Sequence, residues 1–132
     1  MSINRGKIYN TQRAKQLRDF SGLRFGNITP TDIDGLIEYK NKAYVIIELK
    51  YRENELPPGQ KLALERLADN LQKSGKTTLL ILASHNQTNP NDEIDVANST
   101  ITSYRYKGKW YLQNQFTVLE LVKSFLNWIE SH

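Results

Sequence analysis

The stretch TTLLILASH, residues 77–85, constrains this chain most, because its apolar residues do not alternate with polar ones. A strand with one wet face alternates; a nearly all-apolar stretch with the unbroken run LLILA at 79–83 marks a strand covered on both faces, as in a parallel sheet. The residues ahead of it supply the rest of such a unit. LPPGQKLALERLADNLQKSGK, residues 56–76, opens on Pro57 and Pro58 and closes on Gly75. Gln60, Leu64, Leu67 and Leu71 recur there at helical spacing, which predicts an amphipathic helix with those four on its buried side. Before the helix, AYVIIELKYR, residues 43–52, has the β-branched and aromatic content of another strand. Strand, helix and strand in this order form a crossover unit, so residues 77–83 are expected to lie parallel to residues 43–51. Both C-terminal ends then leave the sheet at one edge, which brings His85 toward Lys50.

The charges of TDIDGLIEYKNKAYVIIELK, residues 31–50, are the puzzle of the sequence. DIDGLIEY reads as a strand and residues 40–42, KNK, as its turn, since Asn41 tolerates the left-handed conformation of a three-residue hairpin. A turn centred on Asn41 sets Glu38 opposite Tyr44, Leu36 opposite Ile46 and Asp34 opposite Glu48. Glu48 and Lys50 then share a face with Tyr44 and Ile46, while Leu49 points the other way. Opposed carboxylates repel, and a folded sheet retains them only with a cation between them. Asp34, Glu48 and the backbone carbonyl of Leu49 make half of an octahedral oxygen shell. A cation held there would polarise a phosphate ester. Lys50 stands ready to orient or deprotonate an attacking water, or to neutralise charge on the phosphorus. Asp34 is preferred to Asp32, two residues earlier on the same face, because Gly35 leaves room for a phosphate. Asp32 remains the rival. Gln60 falls on the leucine side of its helix, so its amide is expected over the sheet edge near Lys50.

Composition narrows the chemistry. The chain has no cysteine and only two histidines, His85 and His132, so a thiolate or multi-histidine metal site is excluded. Oxygen donors favour Mg2+ or Mn2+ over zinc. Net charge is +4, and it is concentrated: Arg5, Lys7, Arg13, Lys15, Arg18 and Arg24 precede residue 31 against the single acid Asp19. Together with Arg52 and Lys61 they are candidate contacts to a nucleic-acid backbone. No apolar run approaches the roughly 20 residues of a membrane span, and the N-terminus lacks the apolar core of a signal peptide; a cytoplasmic protein with no membrane partner is expected.

Around this unit, IYNTQRAKQLRDF, residues 8–20, places Ala14, Leu17 and Phe20 at helical spacing and predicts a first helix ended by Gly22. GLRFGNITPTDID, with Gly26 and Pro30, predicts a short or irregular strand. After a polar loop over residues 86–98, STITSYRYKGKWYLQ reads as a hairpin turning at Lys107-Gly108. Its Tyr104, Tyr106, Trp110 and Tyr111 suit packing against the last helix better than stacking on bases. TVLELVKSFLNWIE gathers Val118, Leu121, Val122, Phe125, Leu126 and Ile129 on one helical side. The class is α/β, expected as a single domain over residues 1–132. Its core, residues 8–85, is helix, three-stranded meander, helix and parallel fourth strand, with a β-hairpin and C-terminal helix appended over about residues 99–131.

Asp34-Gly35 followed by Glu48-Leu49-Lys50 resembles the Asp … Glu-x-Lys signature of the PD-(D/E)XK nuclease superfamily, whose restriction-endonuclease-like core has the order of elements just given. TDIDG, ELKYR and LPPGQKLALERL together resemble small stand-alone members from phages and mobile elements. The resemblance implies a metal-dependent DNA endonuclease or exonuclease. Asp34 and Glu48 would hold Mg2+ or Mn2+, Lys50 would be the catalytic lysine, and Gln60 would match a glutamine that some branches carry. DNA would be the partner, and symmetric cutting of both strands would call for a homodimer. Two features depart from the family's pattern: the first helix offers Gln12, Gln16 and Asp19 instead of a glutamate, and Pro30 lies four residues ahead of Asp34. Residues 99–132 lie outside the resemblance. The alternatives are a catalytically silent DNA-binding module on the same fold and a structural protein whose hairpin charges form salt bridges.

Overall fold

The computed structural model describes residues 18–52, 54–89 and 91–132. The chain divides into two compact units, residues 1–30 and 31–132. In the first, Ser21–Leu23 form one 3-10 turn, and Phe25 and Ile28 pair with each other through backbone hydrogen bonds of 2.9 and 3.0 Å around Gly26 at φ 64°. Most of the helix expected over residues 8–20 lies outside the described residues; Arg18, Asp19 and Phe20, its expected last residues, are not helical. The irregular strand expected after Gly22 reduces to the Phe25–Ile28 bridge. Gly26, in its left-handed conformation, reverses the chain before a longer ladder can run. The described part of the expected meander is therefore two strands, not three.

The second unit runs β1 (Gly35–Tyr39), β2 (Ala43–Tyr51), α1 (Pro58–Lys73), β3 (Thr77–His85), β4 (Thr100–Tyr106), β5 (Lys109–Leu112) and α2 (Val118–Ser131). The strands form one five-stranded mixed sheet in the order β1-β2-β3-β4-β5. Only β2 and β3 are parallel, from Ala43 beside Thr77 to Tyr51 beside His85. The crossover read from the apolar run is thus present. The β1–β2 hairpin has the expected register, with Glu38 opposite Tyr44 and Leu36 opposite Ile46. Asn41 takes φ 59°, as expected of it, and Lys40 takes φ 51° beside it. The second hairpin turns through Lys107 at φ 49° and Gly108 at φ 79°, the left-handed pair that matches strand twist.

Side chains alternate between two layers. Ala43, Val45, Ile47, Leu79, Ile81, Ala83 and Ile101 meet Val118, Val122, Phe125 and Ile129 of α2, and Leu121 and Leu126 pack at the margin. Thr117 caps α2 by accepting from the Glu120 N–H at 3.2 Å while Glu120 accepts from the Thr117 N–H at 2.9 Å. On the opposite face, Ile46, Leu80 and Leu82 meet Leu56, Leu64 and Ala68. Leu67 is 38% exposed, so the buried side of α1 is turned slightly from the expected one and Ala68 takes its place. Of the late aromatics, Tyr106 meets Phe125 of α2 edge-on and Tyr104 stacks on Tyr111 at 5.1 Å between ring centroids, whereas Trp110 lies against the α1 layer and not the last helix as expected. Among the described residues no helix is long and apolar enough to cross a membrane.

Candidate active site

The hairpin register and the alternation of β2 bring Asp34, Glu48 and Lys50 to the α1 face, where β2 runs out past the start of β1. Asp34 precedes the first paired residue of β1, and its Oδ2 accepts the Leu49 N–H at 2.8 Å. A strand residue's N–H and C=O point to the same neighbour, so the Leu49 carbonyl emerges on the Asp34 side as well. The Leu49 side chain packs in the α2 layer, away from the carboxylates.

Glu48 is the anomaly of the structure. It is only 4% exposed, in a layer otherwise made of Ile46, Leu80, Leu82 and the leucines of α1. Gln60, in the first turn of α1, donates its Nε2–H to Glu48 Oε1 at 3.0 Å, as its place on the helix led one to expect. The other oxygen, Oε2, is buried without a hydrogen-bond partner among the described residues. Burial pushes the Glu48 carboxyl up to about 7, and the negative charge of Asp34 adds to the rise, while Lys50 pulls the other way.

His85 reaches the expected edge but not the site. It pairs with Tyr51, one residue beyond Lys50, and alternation turns it to the α2 face. There its ring meets Tyr51 edge-on at 5.6 Å, and its Nδ1 accepts the Gln87 N–H at 3.2 Å. Asp32 is exposed and makes no hydrogen bond or ion pair among the described residues. Gly35 does not clear space for a phosphate beside Asp34: a Cβ there would meet the Ile47 Cβ at 3.5 Å, on the other face of the sheet. Asp34 is set apart from Asp32 by its bond to Leu49 instead.

Of the candidate phosphate contacts, Arg52 and Lys61 line a cleft that begins at Lys50. Arg24 donates its Nε–H to the Gly26 carbonyl at 3.0 Å, and Arg18 is exposed. Arg5, Lys7, Arg13 and Lys15 lie outside the described residues. Among the described residues no three His, Asp or Glu side chains converge on one point. The oxygen donors at the site are two carboxylates and a main-chain carbonyl.

Two polar links on this face were missed in the sequence. Arg105 of β4 makes a two-pronged ion pair with Asp69 of α1, at 2.9 and 2.8 Å, and the Trp110 indole N–H donates to Glu65 Oε1 at 2.5 Å. A signal was present: Glu65 and Asp69 stand four apart next to the buried side of α1 and need partners. Arg105 and Trp110 are themselves a cross-strand pair, so both partners come from one place. No protein-family model matches the chain, and neither a curated protein nor a solved structure is significantly similar to it.

Proposed function

We propose that this chain is a metal-dependent DNA nuclease built on a restriction-endonuclease-like core, with Asp34, Glu48, Lys50 and Gln60 as its working residues. One observation carries the reading: a carboxylate buried in an apolar layer, its Oε2 without a partner among the described residues, beside a second carboxylate. Such a group costs several kcal/mol unless a proton or a cation completes it. The donor set suits Mg2+ or Mn2+, since Asp34, Glu48 and the Leu49 carbonyl are all hard oxygens. The parallel β2–α1–β3 unit, with the carboxylates near the C-terminal end of β2, supports the same fold reading.

When bound, the cation would polarise a phosphodiester and offset the charge that develops in its hydrolysis. The chain's own residues hold the parts. Gln60 ties down Glu48 Oε1 and leaves Oε2 for the ligand; the Leu49 N–H ties down Asp34 Oδ2. Lys50 brings a positive charge to the phosphate as it gains negative charge. A water oxygen bonds to phosphorus as the bond to the departing sugar oxygen breaks, the water losing a proton and the sugar oxygen gaining one.

One alternative is a module of this fold that binds DNA without cutting it. Labelled duplex, single-stranded and four-way-junction DNA, incubated with Mg2+, Mn2+ or chelator, separates the two. Cleavage that needs metal and disappears in Glu48→Ala and Lys50→Ala is the expected result. Binding without cleavage selects the silent module; neither one leaves the hairpin charges a structural feature.

A further inference from the structure

A cleft of about 410 Å3 opens from Lys50 along the α1 face toward the end of β5. Its walls differ in kind. Leu56, Leu82 and Leu112 form an apolar side, while Lys50, Arg52 and Lys61 bring positive charge, against Glu55 as an acid. None of the three cations forms an ion pair among the described residues. Lys61 is held instead with its ammonium 4.9 Å from the centre of the Trp110 ring, which Glu65 fixes from behind. Arg52 lies 4.9 Å over the Tyr51 ring and takes φ 53°, a conformation anchored by its N–H bond of 2.7 Å to the His85 carbonyl. Leu112 is 92% exposed, the most open of the large apolar residues described, and a second cavity of about 460 Å3 lined by Gln113, Asn114 and Gln115 borders its other side.

We infer that this cleft seats one unpaired nucleotide next to the phosphate at Asp34, Glu48 and Lys50, its phosphate toward Arg52 and Lys61 and its base against Leu112. The inference rests on the nuclease reading above and names the substrate class: a single strand, a flap or a frayed end. Size and charge argue for it. The volume lies near the lower end of small-ligand pockets, roughly 300–1,000 Å3. A duplex, whose major groove alone is about 12 Å wide, does not enter such a space, whereas a base that has left the stack does. An apolar wall beside cations is what a base and its phosphate require, and it reads no particular sequence because every base has a π-face.

The test measures binding of a fluorescent single-stranded oligonucleotide and of a blunt duplex of the same sequence, with Mg2+ and with chelator, followed by cleavage of each. Leu112→Ala, Leu112→Trp and Lys61→Ala are compared with the parent chain; Leu112 is exposed, so its variants fold. The parent should prefer the single strand at least about 5-fold. Leu112→Ala should weaken single-strand binding about 5-fold or more with duplex binding unchanged, Lys61→Ala should weaken single-strand binding more than duplex binding, and Leu112→Trp should tighten single-strand binding. Metal-dependent cleavage with single-strand binding indifferent to all three variants overturns the cleft and spares the nuclease. Single-strand binding that depends on Leu112 and Lys61 without cleavage keeps the cleft and removes the nuclease. No binding of either DNA overturns both.

Discussion

Val45, Ile47, Leu79, Ile81 and Ile101 look from the sheet into an apolar layer closed by α2, whereas Glu48, Lys50, Arg105 and Trp110 turn from the sheet toward α1. The α2 layer joins its strands and helix mainly by packing, with polar links at its margin: the cap at Thr117 and the contacts of Glu130 with Tyr39 and Lys40. The α1 layer has a smaller apolar cluster, and each polar group near it is handled separately. Asp69 is neutralised by Arg105 and Glu65 is bonded by Trp110. Among the described residues only Glu48 keeps a buried side-chain oxygen without a partner. The difference teaches where the free energy comes from and where it goes. Burial against α2 stabilises the sheet enough for the other face to carry an uncompensated carboxylate.

If that division is right, the largest loss of stability comes from the α2 side. Phe125→Ala should cost about 3–5 kcal/mol in urea unfolding while leaving Mg2+ affinity of the folded fraction unchanged. Glu48→Gln should move the other way. A carboxyl raised from 4.5 to about 7 takes up a proton on folding, so its stability contribution is full below about pH 4.5 and is lost as pH rises through 7. The variant should therefore gain on the order of 1–3 kcal/mol over the parent at pH 8, gain little at pH 4.5, and lose Mg2+ binding. In the parent, Mg2+ affinity should climb as pH passes 7, which a titration at pH 6 and 8 would read.

Asp69 has the opposite sign. Its hydrogen bonds from Arg105 hold its carboxyl below the usual range, so its contribution is present above that range and is lost as pH falls through the lowered value. Arg105→Ala should cost about 1–3 kcal/mol at pH 7, and the deficit should shrink in acid unfolding experiments. Equal pH dependence for Glu48→Gln and Arg105→Ala would dissolve the distinction between the strained and the satisfied carboxylate. Breaking the cap with Thr117→Ala should cost about 1 kcal/mol by thermal unfolding. Smallest of all, Gly35→Ala should stay within about 0.5 kcal/mol, since its Cβ meets Ile47 at ordinary contact distance and away from the carboxylates.

Much of this was legible in the residue order. The apolar run over residues 79–83 announced a strand covered on both faces, Pro57, Pro58 and Gly75 bracketed α1, and Asn41 and Gly108 marked the turns, because period and turn chemistry are local properties. The register about Asn41 followed from the turn, and with it the meeting of Asp34 and Glu48. Gln60 was legible for a similar reason: a helix entered just after β2 puts its first turn over the end of that strand. The cap Thr117-x-x-Glu120 was equally local and was overlooked.

What only the tertiary structure decided involves residues far apart in the chain. The rotation of α1 that chose Ala68 over Leu67 depends on how closely helix and sheet approach, and a small side chain permits an approach that a leucine does not. His85 was expected beside Lys50 because parallel strands end together, yet alternation set it on the opposite face. The partners of Asp69 and Glu65 were settled by β4 and β5 crossing α1, and the cleft at Leu112 by where β5 stops. Sequence determined the elements and the carboxylate pair, since these follow from neighbours along the chain. Packing determined which charges found partners and which, at Glu48, did not.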